Sequence, residues 1–518
     1  MGLWNLYFIY KLLFALGGTL QFHLGWNLLL ALFLILPSFH WFLSSLRFVL
    51  ALLAATLLLY SELPLPPLAR AWSQIENLQG FSWIYVQELL GRVISWEVSV
   101  AALVILLLYL VLNRWLRITS FVLVAIVVTP LWQWQQKATV LPVATQATPT
   151  QTTAIKTPTQ SPAELLTAFQ QQEAKRVVDL TQLGQKPAFD VILLHICSLA
   201  WDDLRFAKQD KHPLWQQFDV VFEQFSTGAS YSGPAAIRVL RAACGQQEHT
   251  ALYQAAPQQC YLFQQLQQLG LQPYALMNHD GHFDNFFELV SQNLAVPGLK
   301  PVMPTTAAVA MRGFDDSPIL SDRQVLFNWF NQRTKEAPPA ALYYNTISLH
   351  DGNRLPNSSL SSLQSYPQRL NTLLTDVQAF IQLIAASQRP AVVMFVPEHG
   401  AAVEGDELQM AGLREIPSPG IVRVPVGVKL VNFPQTQPQA PVLVKEPSSY
   451  LALVKLLENT IKNHALQTGL QNASLTADLP QTALVAQNEQ TIVMADPNDK
   501  RYHMRTPDGV WVTAESKK

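Results

Sequence analysis

The sequence predicts a multi-span α-helical membrane domain followed by an α/β domain with a mixed, largely parallel sheet. Two observations support this fold class. The first 135 residues of the 518-residue chain contain only ten charged side chains, although 14% of all residues are charged. From residue 188 onward, short apolar runs alternate with amphipathic stretches, which is typical of α/β domains. The formal net charge of −1 argues against nucleic acid as a partner.

Five apolar stretches predict membrane spans, because each is close to the length that a bilayer core requires. They lie near residues 4–21, 25–43, 46–62, 95–113 and 119–135. Arg47 follows the second stretch, and Arg114 and Arg117 follow the fourth, so the positive-inside rule places both loops in the cytoplasm. The end of the last span then lies outside, even if the first stretch, which Lys11 interrupts, only lies along the membrane surface.

The chain is expected to divide into three parts. No small-residue cleavage site follows the first apolar stretch, so we expect that stretch to remain as an anchor. Residues 137–162 are rich in Thr, Pro and Gln and have no hydrophobic periodicity, which predicts a flexible linker. The predicted parts are a five-span membrane domain (1–136), the linker (137–162) and an external α/β domain (163–518).

Three apolar runs of the α/β domain end in reactive side chains. FDVILLHIC (189–197) ends at Cys197, ALYYNTISLHD (341–351) ends at His350 and Asp351, and AVVMFVPEHG (391–400) carries Glu398 and His399. In an open α/β sheet, ligands bind beyond the carboxyl ends of the strands. The three strand ends therefore predict one shared site.

Cys, His and Glu are zinc ligands, so we predict a zinc site at Cys197, Glu398 and His399. Each residue also has a simpler interpretation: a buried thiol, a solvated loop pair, or, for His350, a hydrogen-bonded structural histidine. Glu398 and His399 are adjacent, and neighbouring strand residues point to opposite faces. Both reach one point only if the chain turns there, which Gly400 would permit.

A candidate nucleophile lies in the stretch STGASYSGPAAIRVLRAACG (226–245). It runs from a loop of small residues into a predicted helix, with Ser232 in the N-cap region and Pro234 in the first turn. A helix N-terminus favours phosphate, and a serine beside zinc can be deprotonated and attack phosphorus. The alternative is that Ser232 simply caps the helix.

These residues resemble those of the phosphoethanolamine transferases of the alkaline phosphatase and sulfatase superfamily, and within them the branch that modifies bacterial cellulose. The resemblance covers essentially the whole chain. It rests on ICSLAWDDL around Cys197, STGASYSGPAAIRVLRAACGQ around Ser232, SLHDGNR around His350, and PEHGAAVEGDELQMAGLREIPSPG around Glu398, His399 and Arg414. Lipid A phosphoethanolamine transferases are similar in plan, but typically have an acidic ligand, a Thr nucleophile and an Asp-His pair. The residues found here favour the cellulose-modifying branch.

The resemblance implies an alkaline-phosphatase-like domain in the periplasm, anchored in the bacterial inner membrane beside cellulose synthase subunits. It implies that zinc is held by Cys197, Glu398 and His399 and also binds Ser232. Ser232 would attack phosphatidylethanolamine, release diacylglycerol and keep the phosphoethanolamine group as a covalent intermediate. A cellulose hydroxyl, by analogy the glucose C6 hydroxyl, would then accept the group, with His350 as proton donor or acceptor.

Other expectations are less specific. Arg414 would bind phosphate oxygens, although a surface ion pair is an open alternative. Tyr231 is expected at the substrate as the neighbour of Ser232. Rival functions are a phosphoglycerol transferase, a lipid A transferase and a non-catalytic scaffold of the cellulose synthase complex, for which Ser232 and His350 would be unnecessary. A sulfatase is disfavoured, because Ala235 and Ala236 replace the Ser and Arg that maturation of its nucleophile requires.

The two remaining cysteines, Cys244 and Cys260, enclose fifteen residues. In an oxidising compartment they would form a disulfide that contributes about 3 kcal/mol through the entropy of the unfolded chain. The alternative is two free buried thiols. With the disulfide, Cys197 is the unpaired cysteine, as a metal ligand should be.

Overall fold

The described chain forms two compact units. The computed structural model describes all residues except 1, 18–19, 21, 37–40, 64–79, 94–95, 140–160, 334–336, 407, 435–439, 464–471, 496–500 and 516–518. One unit comprises Met1–Ile75 and Val86–Thr157, and the other comprises Glu76–Tyr85 and Pro158–Lys518. Most of the predicted linker, from residue 140 to residue 160, lies outside the described residues.

Helices dominate the amino-terminal part of the chain. They are α1 (Trp4–Leu16), α2 (Leu24–Ile35), α3 (Trp41–Glu62), α4 (Trp83–Val93), α5 (Trp96–Leu112) and α6 (Ile118–Thr139). Each predicted span overlaps a helix, whereas α4 was not predicted. Among the described helices, α3 with its 22 residues is the one that is long and apolar enough to cross a membrane.

The boundaries of α1 and α2 differ from the prediction, because local sequence ends both helices early. Gly17 caps α1, so this helix does not continue to residue 21. Leu36, which precedes Pro37, has φ −53° and ψ 131°, since a proline disfavours helical backbone at the residue before it. The second helix therefore ends at Ile35, and the third begins at Trp41 rather than at residue 46.

A buried polar cluster lies inside this helical unit. The Lys11 ammonium is 2.5 Å from a carboxylate oxygen of Glu62 and 2.6 Å from the Asn27 side-chain oxygen. The Asn27 amide donates to the other Glu62 oxygen at 2.5 Å. All three side chains are almost fully buried. A lone charge is costly among apolar helices, so this pairing explains how Lys11 is accommodated within α1.

The second unit is built on a seven-stranded sheet with the order β3-β6-β1-β7-β8-β2-β9. Its strands are β1 (Asp190–Cys197), β2 (Val220–Ser226), β3 (Gln272–Met277), β6 (Ala340–Thr346), β7 (Ala391–His399), β8 (Arg423–Val431) and β9 (Val442–Val444); β4 (Val309–Arg312) and β5 (Pro318–Leu320) form a separate hairpin. Strands β3, β6, β1 and β7 are parallel, whereas β8 runs antiparallel to both of its neighbours. The prediction of a mixed, largely parallel sheet is confirmed.

Helices cover both faces of this sheet. The helices of this unit are α7 (Pro162–Glu173), α8 (Trp201–Phe206), α9 (Leu214–Gln217), α10 (Ser232–Leu240), α11 (Leu262–Gln268), α12 (Phe286–Leu294), α13 (Asp322–Asn331), α14 (Ser362–Ser387), α15 (Pro419–Val422), α16 (Tyr450–Lys462) and α17 (Asn472–Leu475). Residues of α10, α11, α12 and α16 pack on one face, and those of α13 and α14 pack on the other. Every residue of β1 and β7 is buried, which explains their almost continuous apolar sequences.

Two further features complete the unit. A four-stranded antiparallel sheet is formed by β10 (Val485–Gln487), β11 (Ile492–Ala495), β12 (Arg501–Arg505) and β13 (Trp511–Glu515). Cys244 and Cys260 are joined by a disulfide, with their Cα atoms 4.9 Å apart. Cys197 is the free cysteine and is buried.

Candidate active site and metal centre

The carboxyl ends of the adjacent strands β1 and β7 bring together the three predicted metal ligands. The pairing shifts at this point: Ile196 lies opposite Pro397, but Cys197 lies opposite His399, so Glu398 is an extra residue on β7. Such a bulge lets successive side chains approach one point, and Pro397, which has no N–H to donate, is tolerated beside it. The convergence therefore comes from a bulge, not from a turn at Gly400.

Gly400 has a different role from the one expected. A Cβ atom at this position would lie 2.7 Å from Cβ of Ala200. The glycine thus allows the chain after β7 to pass close to the residue that precedes α8. This close approach keeps the chain segments after Cys197 and His399 together.

The donor atoms of Cys197, Glu398 and His399 all lie within 4.8 Å of one another. All three side chains are fully buried. His399 Nδ1 lies 2.9 Å from the Gly400 carbonyl oxygen, an acceptor that favours the tautomer with the proton on Nδ1 and the lone pair on Nε2 for a metal. Oxygen Oε2 of Glu398 has no hydrogen-bond partner among the described residues. The donor set and this unpartnered oxygen fit a zinc ion.

Burial sets the protonation of these three groups. It raises the pKa of the Glu398 carboxyl to about 7 and that of the Cys197 thiol to about 12. It also lowers the pKa of His399 well below its ordinary value. The imidazole is thus neutral, as a metal ligand must be, while a bound divalent cation would keep the thiol and the carboxyl ionised.

Ser232 lies directly beside this group. Its Oγ is 3.3 Å from Cys197 Sγ and 3.4 Å from His399 Nε2. Ser232, which was predicted in the N-cap region, is the first residue of α10, and Tyr231, with an extended backbone, is the N-cap itself. The hydroxyl therefore faces the predicted ligands, and simple helix capping does not explain its position.

A hydrogen-bond network behind the site supports Glu398. The Asn345 side-chain amide donates to Glu398 Oε1 at 2.6 Å, and its oxygen lies 2.8 Å from His279 Nε2. His195 Nδ1 lies 3.3 Å from the same Glu398 oxygen. Burial lowers the pKa of His195 to about 3, so this imidazole is neutral. Sequence reasoning missed Asn345, His279 and His195. A polar residue within an apolar strand was a visible signal for His195 in β1 and for Asn345 in β6, whereas His279 lies just after β3.

Arg414 and Tyr231 form a second side of the site. The Arg414 Nη1 atom lies 3.2 Å from Ser198 Oγ and 3.1 Å from His399 Nδ1, and its guanidinium lies 5.7 Å from the centre of the Tyr231 ring. The Tyr231 hydroxyl donates to Glu415 Oε1 at 2.5 Å. The structure thus places Arg414 at the predicted site and adds a carboxylate, Glu415, that was not predicted.

His350 lies in the turn after β6, not at its last residue, because β6 ends at Thr346. Its Nδ1 atom is 2.6 Å from the Asp351 carbonyl oxygen. Burial and the charge of Arg414 lower the pKa of His350 to about 4, and the same charge contributes to the lowered pKa of His399. One guanidinium therefore acts on both imidazoles.

Comparisons with known proteins identify the family of this chain. Residues 4–131 match the model of the cellulose biosynthesis protein BcsG N-terminal domain, and residues 145–511 match that of the BcsG C-terminal domain. The chain is 36% identical to the cellulose biosynthesis protein BcsG of Escherichia coli and 35% identical to that of Salmonella typhimurium. Both alignments cover 98% of this chain and 95% of the relative.

Solved structures show a more distant similarity. An alkaline phosphatase superfamily protein from Vibrio parahaemolyticus is 12% identical, with a TM-score of 0.47 over 69% of this chain and 89% of that one. The periplasmic domain of EcEptC from Escherichia coli, solved in complex with Zn, is 14% identical, with a TM-score of 0.41 over 59% and 91% of the two chains. The two family models and the near full-length relatives show that the chain belongs to the BcsG family of cellulose biosynthesis proteins.

Proposed function

We propose that the protein transfers phosphoethanolamine from phosphatidylethanolamine to a hydroxyl of cellulose, through a covalent intermediate on Ser232. The observation that carries this proposal is the position of the Ser232 hydroxyl, at the start of α10 and within 3.4 Å of donor atoms of Cys197 and His399. A structural metal site has no need for a serine hydroxyl facing its ligands. The arrangement supports a nucleophile rather than a scaffold.

Cys197, Glu398 and His399 would hold the zinc ion. When bound, zinc would lower the pKa of the Ser232 hydroxyl and offset the negative charge of the phosphate. The N–H groups of Ser232 and Gly233 in the first turn of α10 and the guanidinium of Arg414 favour phosphate oxygens at the same place. The protein thus provides both a nucleophile and a surrounding that favours the anion it attacks.

The reaction takes place in two displacements. Ser232 loses its proton to solvent and its oxygen bonds to phosphorus, while the bond from phosphorus to the diacylglycerol oxygen breaks. The leaving oxygen takes a proton from His350. A cellulose hydroxyl then gives its proton to His350 and its oxygen bonds to phosphorus, while the bond from phosphorus to the Ser232 oxygen breaks and that oxygen takes a proton back from solvent. The phosphodiester adds negative charge near His350, which opposes the effect of burial and favours the protonated imidazole needed in the first displacement.

Glu415 supports ethanolamine as the headgroup that is transferred. Its carboxylate is held by the Tyr231 hydroxyl, next to the residue that attacks. A carboxylate near a phosphate site disfavours a purely anionic group, but it suits a group that also carries an ammonium. Phosphoglycerol has no such cation. The residues around Ser232 therefore favour phosphoethanolamine over phosphoglycerol.

The acceptor and location are proposed from the family. The relatives are named cellulose biosynthesis proteins, which supports cellulose over lipid A as acceptor and cellulose synthase subunits as partners. Five apolar helices, α1, α2, α3, α5 and α6, support a multi-pass protein of the bacterial inner membrane. The loop charges at Arg47, Arg114 and Arg117 then support a periplasmic location for the carboxy-terminal unit.

Mass spectrometry of the full chain tests the proposed intermediate. After incubation with vesicles containing phosphatidylethanolamine, we expect added phosphoethanolamine on Ser232, and none in the Ser232→Ala variant, which should still bind zinc through three ligands. The matched control is Ser387→Ala, at the far end of α14, where the hydroxyl donates to the Ile384 carbonyl. Unmodified Ser232 in the active wild-type protein, or normal modification of cellulose in cells carrying only Ser232→Ala, would refute the proposal.

A further inference from the structure

A short segment from the amino-terminal half of the chain packs against the loop that carries His350. The segment contains Phe81, Ser82 and Tyr85, and it belongs to the same compact unit as the carboxy-terminal residues. The Tyr85 hydroxyl donates to Oδ2 of Asp351 at 3.1 Å. Tyr85 and Asp351 are each 8% exposed. A residue more than 250 positions away in sequence therefore contacts the immediate neighbour of His350.

Aromatic rings hold this segment in place. Phe314 is the centre of the cluster, with its ring 5.4 Å from Phe81, 6.0 Å from Tyr85 and 5.2 Å from His350. The backbone N–H of Ser82 donates to the Phe314 carbonyl at 2.8 Å. The same phenylalanine thus touches both the segment and the imidazole.

The loop beyond His350 has little room to shift. Gly352 has φ +82°, and a Cβ atom there would lie 2.5 Å from Phe314 Cβ and 2.9 Å from the Tyr85 ring. Only glycine fits this combination of conformation and close contact. The segment and the loop are therefore packed directly against each other.

This loop sets the tautomer of His350. The Asp351 carbonyl accepts the proton on Nδ1, at 2.6 Å, so Nε2 is the nitrogen left to exchange a proton with a substrate. The direction of that carbonyl depends on the conformation of Asp351, and the Asp351 side chain is bonded to Tyr85. A chain of two hydrogen bonds connects Tyr85 to the imidazole.

We propose that Tyr85 is a positioning residue for His350: by holding Asp351, it fixes the tautomer and the orientation of the imidazole. This inference rests on the proposed role of His350 in proton transfer. Tyr85 itself forms and breaks no bond in the reaction. The active site of the full chain thus includes a residue that lies before the last two apolar helices, α5 and α6.

The Tyr85→Phe variant, made in the full chain, tests this inference, because it keeps the ring and removes only the hydroxyl. We expect transfer from phosphatidylethanolamine to slow roughly tenfold, because the variant loses a hydrogen bond to a charged group. With a p-nitrophenyl ester of phosphoethanolamine, whose leaving group needs no protonation, the rate should change less than about twofold. In a His350→Ala background, Tyr85→Phe should have no further effect.

The matched control is Tyr261→Phe, which also removes a hydroxyl that takes part in a hydrogen bond. That hydroxyl accepts from the Ala256 N–H at 3.0 Å. The control should leave the rates with the lipid and with the p-nitrophenyl ester unchanged. Equal slowing of Tyr85→Phe on both donors, or an effect that persists in the His350→Ala background, would overturn the inference while leaving the role of His350 intact. A His350→Ala variant that reacts normally with the lipid would overturn both.

Discussion

Replacing Asn345 by leucine tests whether the network behind the site holds Glu398 as a metal ligand. The substitution keeps the size of the side chain, but it removes the 2.6 Å hydrogen bond to Glu398 Oε1 and the partner of His279. A hydrogen bond to a charged group contributes about 1.5–3 kcal/mol. Loss of a group that supports a metal ligand typically weakens metal binding about 10- to 100-fold, or roughly 1.4–2.7 kcal/mol. The free energy of the lost hydrogen bond therefore agrees with the expected loss of metal-binding free energy.

The assay is competition for zinc between the detergent-solubilised full chain and a chromophoric chelator. We expect Asn345→Leu to bind zinc about 10- to 100-fold more weakly than the wild type. The matched control is Asn459→Leu, which removes a buried amide that donates to the Leu475 and Ala477 carbonyls at 3.1 Å and 2.8 Å; its zinc affinity should not change. Equal affinity in the two variants would refute the role given to Asn345.

Three more predictions address the headgroup, the disulfide and the topology. Glu415→Gln keeps the acceptor for the Tyr231 hydroxyl and removes the negative charge. Because a partly exposed ion pair between Glu415 and the ammonium of the substrate would be lost, kcat/KM for phosphatidylethanolamine should fall roughly fivefold. An unchanged preference over a phosphatidylglycerol donor would contradict ammonium binding at Glu415. Thiol counting on denatured, non-reduced protein should find one free thiol, and reducing the Cys244–Cys260 bond, which closes a separation of 16 residues, should lower the free energy of unfolding by about 3 kcal/mol; three free thiols would disprove the pairing. A reporter active only in the periplasm should function when fused after residue 140 and fail when fused at residues 113–117, and the opposite result would reverse the proposed orientation.

Much of the carboxy-terminal fold follows from local sequence. The runs that form β1 and β7 are apolar on both faces, as strands covered by helices on both sides must be. The run at 341–351 was predicted as one strand ending at His350 and Asp351, but β6 ends at Thr346. The strand stops before Ile347, because side chains occupy the backbone groups of that residue. The Ile347 N–H donates to the Asn278 side chain, and the Ile347 carbonyl accepts from the Asn353 side chain. No periodic pattern in the sequence reports such distant partners.

The site was predictable where chemistry appears in the chain itself. Cys197, Ser232 and the Glu398-His399 pair stand at the ends of recognisable elements, and the structure brings all four together. The bulge that aligns Glu398 with His399 depends on pairing with β1, so the sequence of β7 alone does not reveal it. Tyr85 lies 266 positions before Asp351, and only the folded packing shows its connection with His350.

The pairing of Lys11 with Glu62 limits the order in which the amino-terminal helices can become stable. In the proposed multi-pass arrangement, α1 presents an ammonium and α2 presents Asn27, but the carboxylate that satisfies both is the last residue of α3. It follows Asn27 by 35 residues, or roughly 2–7 s at the usual speed of translation. During that interval, α1 and α2 are best kept in the insertion machinery or at the bilayer surface, so the first three helices should enter the lipid as one group.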